Sequence, residues 1–153
     1  MMYLRKILVT TDLSEYSLAA MEYASSFGLL YSSNLFLLHV VDHREGHHGR
    51  TEEEARKTLD DFVEKRINPD INLVPVVRFG NPALEIRRFA EEEGMDLVVM
   101  ATHGRTGLRH IVMGSVAEKV VRQSNVPVLT VKPHPLRESI LQNEDVEKEL
   151  HLR

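Results

Sequence analysis

Apolar residues in this chain come in short dense runs, separated by longer stretches where they recur every three or four positions. Lys6 to Thr11, Leu35 to Val41, Leu73 to Phe79, Met95 to Ala101 and Val126 to Val131 are runs rich in β-branched residues, and they read as five strands. The stretches between them have helical spacing. Ser14 is placed to cap a first helix whose inward side is Ala20, Tyr23, Ala24, Phe27 and Tyr31. Thr51 and Glu54 form a capping-box pair before a second helix, with Ala55, Leu59, Phe62, Val63 and Arg66 along one face and Asn68-Pro69-Asp70 as its stop. Asn81 caps a third helix with Pro82 at its first position; Ile86, Phe89 and Ala90 point inward, and Gly94 ends it. Gly114 and Ser115 open a fourth helix that packs through Val116, Val120 and Val121.

Five strands alternating with four helices predict an α/β domain with an open parallel sheet, right-handed crossovers and helices on both faces. Strands apolar on both faces agree with that arrangement. Pro75 has no N–H for a ladder, so the third strand belongs at a sheet edge. Residues 1–133 make one domain. Residues 134–153 form a polar tail with Leu136, Ile140, Leu141, Val146, Leu150 and Leu152 spread through it; a docking helix and a frayed terminus are both open.

Composition narrows the function classes. Hydrophobic residues are 42% and charged residues 27% of the chain, as in ordinary globular domains. A net charge of −4 gives no basic footprint for nucleic acid. With no cysteine, a disulfide scaffold, a thiol nucleophile and a thiolate zinc site are excluded. No apolar run is long enough for a membrane helix, and the N-terminus lacks a signal-peptide core, so a cytoplasmic protein without a membrane partner is expected. His43, His47 and His48 match no fixed metal-ligand spacing, so no metal site is expected there. His39, inside a strand, reads as a satisfied core histidine.

Open α/β sheets bind ligands beyond the carboxyl ends of their strands. Thr10, Thr11 and Asp12 follow the first strand. Ala101, Thr102, His103, Gly104, Arg105, Thr106 and Gly107 follow the fourth, and the chain then reaches Gly114 and Ser115 at a helix start. Glycines, free amides, a hydroxyl and a helix N-terminus suit a polyphosphate. An ordinary turn would use the same glycines, and Asp12 could equally cap the turn after its strand. Neither loop is a Walker P-loop or a dinucleotide fingerprint.

Taken together, these motifs resemble the universal stress protein family. Gly104, nine residues, then Gly114-Ser115 is similar to the second and third elements of the Gly-x2-Gly-x9-Gly-Ser/Thr motif of its nucleotide-binding branch, with Ala101 in place of the first glycine. Thr11-Asp12-x-Ser14, Leu38-His39-Val40-Val41, the Gly114 to Val120 run and Asn125 to Leu129 are similar too. The resemblance spans about Tyr3 to Pro133. It implies a sheet ordered 3-2-1-4-5 and an ATP-binding or other adenine-nucleotide-binding stress or signalling module. In that reading Asp12 accepts from ribose, while Thr10, Thr11 and Val40 hold the base. Met100 and Ala101 wall the site. Thr102, His103, Gly104, Arg105, Thr106, Gly107, Gly114, Ser115 and Val116 surround the phosphates, which Mg²⁺ could bridge. The resemblance also implies a homodimer paired through residues 126–132. A dimeric interaction module without nucleotide and a slow ATPase or self-phosphorylating protein are the alternatives. Ala101 favours the first; His103 is the one nearby base for the second.

Overall fold

The structure is a computed structural model, and it describes residues 3–42, 51–104 and 113–133. Strand β1 (Lys6–Thr11) is followed by a 3-10 turn, Glu15–Ser17, and helix α1 (Leu18–Tyr31). Then come β2 (Asn34–Val41), α2 (Glu52–Arg66), β3 (Leu73–Phe79), α3 (Pro82–Glu92), β4 (Leu97–Ala101), α4 (Ser115–Gln123) and β5 (Val128–Val131). All strand pairs are parallel and the order is β3-β2-β1-β4-β5. The chain therefore switches direction across the sheet between β1 and β4, and β3 with its Pro75 is an edge.

Alternate strand residues feed two cores, as the two-residue period of a strand requires. Ile7, Val9, Leu35, Leu37, Val99 and Val131 pack with Ala20 and Ala24 of α1 and Leu59 of α2. Leu8, Leu38, Val98 and Met100 pack with Ile86 and Phe89 of α3 and Val120 of α4. Ile7, Leu8, Val9, Val98 and Val99 are fully buried. Each such side chain contributes roughly 1.5–3 kcal/mol by leaving water.

The helix starts follow their local chemistry. Thr51 accepts from the Glu54 amide at 3.1 Å while the Glu54 carboxylate accepts from the Thr51 amide at 2.9 Å, closing the expected capping box. Asn81 accepts from the Leu84 amide at 3.1 Å, with Pro82 next to it. Gly94 adopts the left-handed φ of 62° that ends a helix tightly.

Five expectations are corrected. Ser14 does not cap α1 with its side chain; its hydroxyl is drawn to Asp12, and a 3-10 turn intervenes before the helix. Tyr23 and Tyr31 are exposed, because the inward side of α1 centres on Ala20 and Ala24 and includes Ala19 and Met21. Arg66 points to solvent and pairs with Glu15 instead of joining the apolar face of α2. Val121 is exposed, one helical step beyond buried Val120. The strands also start late: β4 begins at Leu97 and β5 at Val128.

Candidate functional site

β1 and β4 are paired directly, Val9 opposite Val99, so the loops that leave their carboxyl ends emerge side by side. They border a cleft of about 240 Å³. Twelve of the residues expected at the site line it: Thr10, Thr11, Asp12, Val40, Met100, Ala101, Thr102, His103, Gly104, Gly114, Ser115 and Val116. Arg105, Thr106 and Gly107 lie outside the described residues, as do Arg109, His110, His43, His47 and His48.

The β1 side is held by side-chain hydrogen bonds. Buried Thr11 and Ser17 join hydroxyls at 2.7 Å, and Ser17 Oγ also donates to the Ser14 carbonyl at 2.7 Å. Thr11 Oγ1 accepts from the Leu13 amide at 3.0 Å. Asp12 Oδ1 accepts from the Ser14 amide at 3.0 Å and from its hydroxyl. Asp12 thus does hold the turn after its strand. The tight return puts Leu13 in the left-handed region, φ 67°, where a residue that is not β-branched is tolerated at a cost of about 1–2 kcal/mol.

The β4 side is made by leaving side chains out. A Cβ on Gly104 would lie 2.3 Å from Asp12 Oδ2, far inside contact distance, so any other residue here would displace the carboxylate or the loop. A Cβ on Gly114 would meet the Thr102 carbonyl at 3.1 Å, and the Gly114 amide donates to that same carbonyl at 2.6 Å. Gly114 therefore pins the start of α4 to the end of β4. Ser115 follows as the first helical residue and is exposed. Ala101 is the last residue of β4, paired with Val131 in regular extended backbone. Its backbone is outside the left-handed region, so alanine there carries no conformational cost.

Two buried histidines lie in the cleft between these sides. His39 Nδ1 lies 3.1 Å from the Thr11 carbonyl and is 3% exposed, as its place in a strand suggested. His103 Nδ1 lies 2.8 Å from Thr102 Oγ1, and both residues are buried. Among the described residues, no three metal-ligating side chains converge.

The cleft also includes residues the sequence reading passed over as site residues: Ser17, Asp42, Pro82 and Ile86. Asp42 directly follows β2, so the strand-end rule that picked out Asp12 would have found it. Pro82 and Ile86 had a sufficient local explanation as helix start and core. They reach the cleft because α3 begins at the same sheet edge, where the Gly80 amide donates to the Val41 carbonyl at 3.0 Å. Gly80 makes that turn at φ 136°, which few other residues accept.

A five-stranded parallel sheet with this order, helices on both faces and a glycine-lined cleft at its switch point defines a doubly wound α/β class. Within that class the chain belongs to the universal stress protein family, whose model matches residues 3–132. It is 32% identical to universal stress protein MJ0577 of Methanocaldococcus jannaschii, over 84% of this chain and 94% of that protein. The solved structure of MJ0577 superposes with a TM-score of 0.73 at 34% identity, covering 84% of this chain and 96% of that one. Two further solved relatives share the fold at 21% identity. One is a universal stress protein in complex with cAMP, with a TM-score of 0.65, covering 85% and 98% of the two chains. The other is the Archaeoglobus fulgidus universal stress protein in complex with dAMP, with a TM-score of 0.63, covering 86% and 100%. No helix among the described residues is long and apolar enough to cross a membrane.

Proposed function

We propose that this protein binds an adenine nucleotide, ATP in the first instance, in the cleft between the β1 and β4 loops, and works as a nucleotide-responsive stress module. The observation that carries the reading is the closure of Gly104 onto Asp12. A carboxylate that suits ribose hydroxyls and a side-chain-free backbone that suits phosphate occupy one cleft, beside the N-terminus of α4. Asp12 serves the ribose with its carboxylate. Val40 and Ile86 supply apolar walls for a base. Thr102, Gly104 and Ser115 flank the phosphate path, with Arg105, Thr106 and Gly107 continuing it. Mg²⁺ enters on the phosphates, in keeping with its habit of holding few protein ligands. Relatives of this fold in complex with cAMP and dAMP support the class of ligand.

We place the module in the cytoplasm as a homodimer paired through residues 126–132. Among the described residues β5 pairs with β4 alone, and an unpaired edge strand is a liability that pairing removes.

Calorimetric titration of the nucleotide-stripped protein with Mg·ATP, cAMP and AMP tests the reading, with Gly114→Val as the comparison and sedimentation recording the mass. Saturable binding that is lost in Gly114→Val is the expected result. Absence of binding at millimolar nucleotide by a folded protein overturns it.

A further inference from the structure

The joint between β4 and α4 closes one side of the cleft, and it turns on Gly114. The Gly114 amide donates to the Thr102 carbonyl at 2.6 Å, and the Gly114 carbonyl accepts from the Glu118 amide at 2.9 Å in the first turn of α4. A Cβ on Gly114 would meet the Thr102 carbonyl at 3.1 Å, so the joint tolerates little displacement. It is built from described residues; the tail, residues 134–153, lies outside them.

Met113 stands directly before Gly114. It is partly exposed, and it packs against the apolar cluster that includes Ile86, Met100 and Ala117, three residues of the cleft wall. The other described methionines, Met21, Met95 and Met100, are buried. The chain has no cysteine, so thioethers are its only sulfur groups open to oxidation. Among the described residues, Met113 is the thioether that an oxidant in solution meets first.

We propose that Met113 is a site of reversible oxidation by hydroperoxides, and that its sulfoxide loosens the joint between β4 and α4. The thioether sulfur gives an electron pair to one oxygen of the hydroperoxide. An S–O bond forms, the O–O bond breaks, and the second oxygen takes the proton and leaves as water or an alcohol. Sulfur is oxidised by two electrons and the hydroperoxide is reduced by two. The new S–O group is polar, and it is unfavourable against an apolar cluster unless a donor meets it there. The side chain therefore swings outward and pulls on Gly114, whose backbone bonds leave little room to follow. An effect on nucleotide rests on the reading of the cleft given above; the oxidation site itself does not.

The full-length protein is treated with hydrogen peroxide and digested at lysine and arginine, which leaves Met113 alone on residues 110–119. Met113 should convert about tenfold faster than Met21, Met95 and Met100. The Gly114 amide, followed by NMR, should then exchange with solvent about tenfold faster, and methionine sulfoxide reductase should restore its protection. Met113→Leu, close to methionine in volume, should keep Gly114 protected through the same treatment. Affinity for Mg·ATP should fall about tenfold in the oxidised parent and stay within about twofold in treated Met113→Leu, which separates Met113 from the other methionines. Conversion of Met113 no faster than that of Met95 and Met100 overturns the site. Unchanged Gly114 exchange in the sulfoxide overturns the loosening. Raised exchange with unchanged affinity overturns the link to nucleotide. A protein that binds no nucleotide before treatment overturns the reading of the cleft instead, and conversion and exchange then decide the site.

Discussion

The loop after β1 and the loop after β4 meet at Asp12 and Gly104, but they are made rigid by opposite means. The first is tied by side chains: Thr11 to Ser17, Asp12 to Ser14, with Leu13 forced into a left-handed turn between them. The second is fitted by the absence of side chains at Gly104 and Gly114, which lets backbone approach a carboxylate and a carbonyl. Side-chain bonds can be weakened one at a time, each at modest cost. A steric fit worsens steeply with each added carbon. The two loops should therefore respond differently to substitution, the first mainly in stability and the second mainly in binding.

The largest effect should come from Gly104→Val. Its branched side chain fills the space between the loops, and nucleotide affinity by calorimetry should fall about a hundredfold or more, about 2.8 kcal/mol. Next is Thr11→Val, which removes the acceptor of the Leu13 amide and one hydroxyl of a buried pair. Urea unfolding should show a loss of about 1–2 kcal/mol, with a fall in affinity well short of that in Gly104→Val. An affinity loss as large as that of Gly104→Val would erase the distinction between the loops. A smaller effect sits at their meeting point. Gly104→Ala should destabilise the unaltered protein, but less so when Asp12→Ala is also present, with a coupling of about 1 kcal/mol in a double-mutant cycle. Zero coupling would mean the two loops do not press on one another. The smallest concerns Leu13. Leu13→Asn should stay within about 0.5 kcal/mol of the parent, because asparagine tolerates the left-handed turn and offsets the lost apolar contact. Leu13→Val, β-branched at the same φ, should be the less stable of the two by about 1 kcal/mol.

The different construction of the loops also explains what could be read in advance. Glycines and a helix start leave marks in a sequence, so Gly104, Gly114 and Ser115 stood out after a buried strand, and the family resemblance placed them at a cleft. The sheet order and the edge position of β3 were equally legible, the one through the family resemblance and the other through Pro75. The tying of the first loop was not. Ser14 and Ser17 are serines near a helix start, and nothing in their spacing says that one turns back to Asp12 and the other buries its hydroxyl against Thr11. Tyr23 and Tyr31 misled for a related reason. They fit the helical period of an inward face, but α1 approaches the sheet through alanines, and two rings as large as tyrosine do not fit there. Asp42 is different again: it satisfies the strand-end rule and was passed over because its neighbourhood is dominated by histidines.

The two rims of the sheet are not equivalent as growth points. On β3, Pro75 lacks a donor, and proline is tolerated in such strands because the missing donor faces outward. A strand arriving there finds a rung missing near the middle of a seven-residue ladder. On β5 the described strand from Val128 to Val131 has every backbone donor in place. In the dimer proposed above, a copy that joins through β5 presents only its β3 rim to the next arrival, and the rung missing there disfavours growth into a fibre.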